Sequence, residues 1–164
     1  MRKPSLAIDF DGVIAETLSP KCAWIARHLG VNIAPADCSR SRCEPLIGAE
    51  NYRRMSRALG YADTLECSPL DGAKEGIERL AEDFSICVYT ARPEEKAHWA
   101  QKWFNHRGLA DWIEGVISTY GRSKAELAVM NDASALVDND IRHLREATPV
   151  TTQRIHFSPS GKVE

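Results

Sequence analysis

Two aspartates, Asp9 and Asp11, stand two residues apart at the end of the apolar run Leu6-Ala7-Ile8, in the segment Asp9-Phe10-Asp11-Gly12-Val13. Beta-forming residues ahead of Asp9 and a glycine after Asp11 predict a buried strand that opens into a loop. Residues two apart on a strand point the same way. The carboxyl end of a strand is where open α/β sheets take their ligands. Two carboxylates crowded there repel unless a cation binds or one of them holds a proton. Packing alone seldom asks for such a pair, so the spacing points to chemistry. The plainer alternative is that the aspartates end a strand and shape a glycine turn.

Three more polar signals fall at or just past the ends of predicted strands. Thr90 closes Ile86-Cys87-Val88-Tyr89-Thr90 and is followed by Ala91-Arg92-Pro93. Lys124 opens the helix after the third strand, and Asp138 and Asp140 follow Ala135-Leu136-Val137. In a parallel sheet these strand ends share one edge, so residues far apart in sequence can converge. Several carboxylates, a hydroxyl, an ammonium group and a helix N-terminus suit a divalent cation and a phosphoryl group. Magnesium takes few carboxylates together with water and phosphate oxygens. A lysine and backbone N–H groups neutralise the phosphate charge that remains. Taken singly, Thr90 suits a strand and Lys124 a solvated helix face; they gain weight only from occurring together.

The elements that must position these residues are legible as a pattern. Apolar runs predict strands over residues 5–10, 85–90, 115–119, 135–137 and 154–157. Helical spacing lies between the later ones, over 73–82, 93–107, 123–130 and 141–146, the last ended before Pro149. In the second of these helices Pro93 sits at a first-turn position ahead of Glu94 and Glu95, and Gly108 stops it. Ser123 is a candidate N-cap. Alternating strands and helices imply an α/β fold with a parallel, Rossmann-like sheet covered by helices on both faces. Residues 16–68 break the alternation. They hold helical patterns over 20–29 and 50–59, with the Pro- and Cys-containing stretch 34–47 between them and no convincing strand. The segment is too long for a plain loop. It is read as a small helical insertion, with 1–15 and 69–164 forming the core domain.

Composition narrows the classes. A chain of 164 residues that is 43% hydrophobic can bury a real core as one domain with a small appendage. A net charge of −2 offers no basic surface on the scale of a nucleic-acid binder, so no nucleic-acid partner is expected. Apolar stretches fall short of the roughly 20 residues that span a bilayer, so no membrane partner is expected. The start, Met1-Arg2-Lys3-Pro4-Ser5, runs straight into the first strand and leaves no room for a signal peptide, which makes a cytoplasmic location the expectation. Five cysteines without a Cys-x-x-Cys signal neither a disulfide framework nor a zinc site. Cys87 reads as a buried thiol, and Cys38 and Cys43 lie in a polar stretch.

With these residues in order, the chain resembles the haloacid dehalogenase superfamily of phosphohydrolases. Asp9-Phe10-Asp11-Gly12-Val13 is similar to its first motif, Thr90 to its second, Lys124 to its third, and Asp138 with Asp140 to its fourth. The resemblance covers the two core segments, and an insertion at this place looks like the family's helical cap. The small size and Thr90-Ala91-Arg92-Pro93 are similar to deoxyribonucleotidase-like members, which makes a nucleoside monophosphate the first substrate expectation. The resemblance implies that Asp9 attacks phosphorus to form an aspartyl-phosphate, and that Asp11 protonates the leaving oxygen and then takes a proton from water. It implies Mg²⁺ held by the side chains of Asp9 and Asp138 and the backbone carbonyl of Asp11. Thr90, Ala91, Arg92 and Lys124 would meet the phosphorylated substrate, with Lys124 also holding the nucleophile. Asn139 stands where many members carry a second adjacent acid, so Asp138 is the firmer ligand. Asp140 is left between acting at the site and capping the next helix.

Other residues keep two readings. Arg92 contacts substrate or forms a solvated ion pair with Glu94 and Glu95. Arg53, Arg54 and Arg57 greet an anionic substrate or form a solvated helix face. Trp99, Trp103 and Phe104 read as core, and the five histidines show no ligand spacing. Three functions remain besides the phosphatase: a receiver-like phosphoacceptor module, a non-catalytic binding protein of the same fold, and a phosphotransferase. The sequence leaves the oligomeric state unspecified.

Overall fold

The structure, a computed structural model, describes residues 2–145 and 152–158. Five short strands, β1 (Ser5–Asp9), β2 (Ser85–Thr90), β3 (Gly115–Ser118), β4 (Ala133–Asp138) and β5 (Gln153–His156), form one sheet in the order β3-β2-β1-β4-β5. Every pairing is parallel. β1 is central. It runs beside β2 from Ser5 opposite Ser85 to Asp9 opposite Tyr89, and beside β4 from Leu6 opposite Ala135 to Ile8 opposite Val137. The chain builds outward from β1 to β2 and β3, then returns to the other flank for β4 and β5. The strand order therefore reverses at β1, and such a reversal opens a crevice beyond the carboxyl ends of the strands.

The helices are α1 (Leu18–Leu29), α2 (Arg40–Ile47), α3 (Ala49–Ala58), α4 (Ala73–Asp83), α5 (Glu94–Arg107), α6 (Lys124–Met130) and α7 (Ile141–Arg145). Alternation along the strands sorts side chains between the two faces of the sheet. Leu6 and Ile8 of β1 and Ile86 and Val88 of β2 join Ile77 of α4 and Ala100, Trp103 and Phe104 of α5 in the larger core. Phe10 meets Trp103 edge to face, with ring centroids 5.3 Å apart. Ala7, Tyr89 and Leu136 face the other way, onto Ala125 and Ala128 of α6 and Leu144 of α7. Small alanines on α6 bring that helix close to the strand ends. Ser123 caps it by accepting the Glu126 N–H at 3.2 Å.

After β1 the chain leaves the sheet and builds α1, α2 and α3 around a separate small core of Leu18, Ile25, Cys38, Cys43, Ile47 and Met55. The outgoing and returning strands of chain run side by side. Glu16 N donates to Ser68 O at 2.8 Å, and Leu70 N to Ile14 O at 2.8 Å.

One helix departs from the sequence expectation. Stretch 34–47, read without a helix, contains α2 with Pro45 inside it. The proline removes the N–H that would bond the Ser41 carbonyl. The turn holds because Cys43 and Ile47 are buried in the small core. The first helix begins earlier than expected, at Leu18, with Pro20 in the first turn, where no intrahelical N–H bond is lost. The expected end of α7 at Glu146 and its stop before Pro149 lie outside the described residues. Among the described residues no helix is long and apolar enough to cross a membrane.

Candidate active site

Strand parity places the first two acids. Asp9 lies on the face of β1 that carries Ala7, and Asp138 on the face of β4 that carries Leu136. That face is the one covered by α6, whose first residue is Lys124. Its ammonium sits between the two carboxylates, 2.5 Å from Asp9 Oδ1 and 2.7 Å from Asp138 Oδ2. All three are buried, with 5%, 0% and 1% of Asp9, Asp138 and Lys124 exposed. Asp138 Oδ1 accepts the Asp140 N–H at 2.7 Å. Burial, reinforced by Asp138 and Asp11 and opposed by Lys124, pushes the Asp9 carboxyl up to about 8. Burial would lower the Lys124 ammonium, but Asp9 and Asp138 more than reverse it and hold it above its ordinary value.

Asp11 lies past the strand, in a loop that Gly12 turns at φ 78°. Its carboxylate does not join the Lys124 cluster. Arg92 takes it in a two-point grip, Nε to Oδ2 at 2.9 Å and Nη2 to Oδ1 at 2.7 Å. The same guanidinium reaches the insertion through Gly60 O at 3.3 Å and Thr64 Oγ1 at 2.8 Å. Burial acts to raise the Asp11 carboxyl, but the Arg92 charge and hydrogen bonds hold it below the usual carboxylate range. Of the two readings of Arg92, the solvated ion pair with Glu94 and Glu95 is replaced by this grip, in which Asp11, Gly60 and Thr64 take the guanidinium. Thr90 Oγ1 donates to Asp11 Oδ2 at 3.4 Å and accepts the Arg92 N–H at 3.3 Å. Ala91 is exposed and lines the adjoining cavity.

Asp140 serves α7. Its Oδ1 accepts the Arg142 N–H at 3.0 Å, and its carboxylate also pairs with the Arg142 side chain at 2.5 Å. These bonds favour the capping role over an action on Lys124. Arg53, Arg54 and Arg57 are exposed and lie outside the cavity lining, with Arg53 paired to Glu50.

Asp9, Asp11, Ala91, Arg92, Lys124 and Asp138 line one cavity of about 410 Å³ beneath the insertion. The insertion contributes Lys21, Arg40 and Tyr52, and α5 contributes Lys96; none of these was singled out by sequence reasoning. The signal was present for two of them. Lys21 falls on the helical stripe of Leu18 and Ile25, and Lys96 on that of Ala100 and Trp103. A lysine on a buried stripe is the anomaly worth reading.

Among the described residues no three His, Cys, Asp or Glu side chains converge as a metal cage. Lys124 stands between Asp9 and Asp138, and the Asp11 side chain faces away. The donor chemistry nevertheless fits a hard cation. Two buried carboxylates crowd one ammonium, a crowding that a hard cation would relieve, and the available donors are all oxygen.

No family profile matches the sequence, and no curated protein matches it significantly. Solved structures do match. A haloacid dehalogenase-like family hydrolase from Streptococcus pneumoniae superposes with a TM-score of 0.63 at 13% identity, over 94% of this chain and 84% of that one. The HAD-hydrolase YfnB from Bacillus subtilis, whose structure holds magnesium, gives 0.60 at 13% identity over 100% and 90%. A chain from Clostridium acetobutylicum described as a predicted phosphatase gives 0.60 at 13% identity over 95% and 85%. The fold is that of the haloacid dehalogenase-like hydrolases.

Proposed function

We propose that the protein is a Mg²⁺-dependent phosphatase that hydrolyses a small phosphate monoester through an aspartyl-phosphate. The observation that carries this reading is the buried Asp9–Lys124–Asp138 cluster at the switch point of a parallel sheet, with Asp11 two residues beyond the first acid. The haloacid dehalogenase-like fold supports it.

Asp9 attacks phosphorus, and the bond to the leaving oxygen breaks as the new Asp9–phosphorus ester forms. Lys124 keeps the nucleophile aimed and offsets its charge. Thr90 donates a hydrogen bond from its hydroxyl to a phosphoryl oxygen. Asp11 gives a proton to the leaving oxygen, then takes one from the water that hydrolyses the aspartyl-phosphate. Paired with Arg92 the carboxylate is ionised, so Asp11 must first part from Arg92 and take up a proton from solvent as substrate binds. The phosphoryl dianion is the natural competing partner for the guanidinium. When bound, Mg²⁺ supplies charge neutralisation for the phosphoryl oxygens, held by the side chains of Asp9 and Asp138 and the Asp11 carbonyl.

The test is phosphate release with Mg²⁺ across nucleoside monophosphates, sugar phosphates and small acid phosphates. Asp9→Asn should lower release by about four orders of magnitude or more while the fold is kept. Excess chelator should stop turnover, and added Mg²⁺ should restore it. Wild-type rates from a folded Asp9→Asn sample would reject the nucleophile. Steady turnover also separates this reading from a receiver module, which takes up phosphate once per cycle. β3 ends in Ser118, whose hydroxyl donates to Arg92 O at 2.7 Å, so the third strand offers no phosphoacceptor aspartate.

A further inference from the structure

The part of the cavity wall supplied by the insertion is cationic. Lys21 of α1, Arg40 of α2, and Tyr52 and Ser56 of α3 line it. Among the described lining residues, the insertion adds one carboxylate, Asp63, and it is engaged. Its oxygens accept the Gly60 and Tyr61 N–H groups at 3.0 and 2.8 Å.

The cations around the cavity are not equivalent. Lys124 and Arg92 hold the catalytic aspartates, and Lys96 donates to the Ser56 and Leu59 carbonyls. Arg142 pairs with Asp140. Arg40 pairs with Glu44 at 2.7 Å and lies 5.6 Å from the centroid of the Tyr52 ring. Among the described residues Lys21 alone of these cations has no acceptor within hydrogen-bond distance. It is half-buried on the inward stripe of α1, and its electrostatic neighbours are Tyr52, Asp11 and Asp9. Asp11 acts on it more strongly than Asp9 does. The proposed reaction puts the phosphoryl group at Asp9 and Lys124 on the sheet, so Lys21, in the part of the lining that the insertion supplies, stands on the leaving-group side. Burial and the Arg92 charge would lower its ammonium, but Tyr52, Asp11 and Asp9 hold it above its ordinary value, so it stays charged, and an anion from the substrate supplies the hydrogen-bond acceptor it lacks.

Building on the phosphatase reading, we propose that Lys21, with Arg40 and Tyr52 beside it, binds a second anionic group on the leaving-group side of the substrate. The substrate class is then a small phosphate monoester that also carries a carboxylate or a second phosphate. A neutral nucleoside leaves Lys21 unpaired, so nucleoside monophosphates rank below such diacids.

Three substrates decide between the sources of the second anion: phosphoglycolate for a carboxylate, a sugar bisphosphate for a phosphate, and glycerol phosphate for neither. Wild-type protein should have a higher kcat/KM for at least one diacid than for glycerol phosphate. Lys21→Met should lower the ratio of the two by about ten- to a hundredfold, and Lys21→Arg should retain most of it. A wild type without preference for either diacid, or an equal loss on all three substrates in Lys21→Met, overturns the proposal. Calorimetry with Mg²⁺ present gives a readout that needs no turnover. Phosphonoacetate should bind more tightly than methylphosphonate, and Lys21→Met should remove the difference. If nothing is hydrolysed, the phosphatase reading falls. The calorimetric comparison then still decides the subsite, and equal binding of the two phosphonates overturns it.

Discussion

Arg92 joins two parts of the molecule through one guanidinium: Asp11 in the loop after β1, and Gly60 and Thr64 in the insertion. Its Cζ also lies 5.1 Å from the centroid of the Phe10 ring. Removing one member of a largely buried pair leaves the other charge unpaired, which costs more than a surface pair is worth. Arg92→Met keeps most of the stem and should destabilise by about 2–3 kcal/mol near neutral pH. The sign of the pH dependence follows from Asp11, whose carboxyl is held below its ordinary 3.8 in the folded chain. The contribution of the pair is complete above that value and is lost as pH falls through the lower, folded one. Denaturant midpoints should therefore differ most near neutrality, and the gap between wild type and Arg92→Met should narrow below about pH 4. A gap independent of pH would rule out the charge pair as its source. Asp9 and Asp138 were legible because each ends a strand, where a buried carboxylate has no packing reason to be. The partner of Arg92 was not, since an arginine beside Glu94 and Glu95 reads locally as theirs. Its actual acceptors, Asp11, Gly60 and Thr64, lie far away in sequence, and only the fold brings them to it.

At the scale of elements, the loop after β1 meets the loop after β4, where Asn139 Nδ2 donates to Gly12 O at 3.5 Å. Gly12 has φ 78°, and a Cβ there would stand 2.5 Å from Asn139 Nδ2 and 3.2 Å from Leu18 Cδ1. Two separate penalties follow, left-handed strain and a clash with the loop after β4. Gly12→Ala should cost about 2–3 kcal/mol, read as a shift in the urea midpoint. Adding Asn139→Ala should recover the steric part alone. Complete recovery, or none, would contradict this division. The strands were readable because period-two alternation and apolar runs survive in them nearly unbroken. α2 was not: Pro45 and three charged residues obscure its pattern, and its buried side is only Cys43 and Ile47. Such a helix exists through contact with α1 and α3, a term that local sequence does not contain.

For the molecule as a whole, the cores on the two faces of the sheet are joined to the small core of the insertion by the paired chain at Glu16 and Ser68 and by side chains that cross between them. Besides Arg92, Lys96 makes such a crossing. This lysine is buried on α5, yet it donates to the carbonyls of Ser56 and Leu59, at the end of α3, and lies 4.5 Å from the centroid of the Tyr61 ring. A cation at a helix C-terminus is favourable, here supplied from a different unit of the fold. A core of six buried side chains in the insertion is too small to hold three helices as firmly as the sheet is held. Amide exchange should accordingly be faster in α1–α3 than in β1, β2 and β4. Lys96→Met leaves the two carbonyls without their donor and should cost about 1–3 kcal/mol. The loss should be local. Exchange in α3 should accelerate well beyond any change in β1, so that the insertion opens over an intact sheet. Equal acceleration in α3 and β1 would mean that the insertion and the sheet open together, and that Lys96 stabilises the whole chain rather than the seat of α3 on α5.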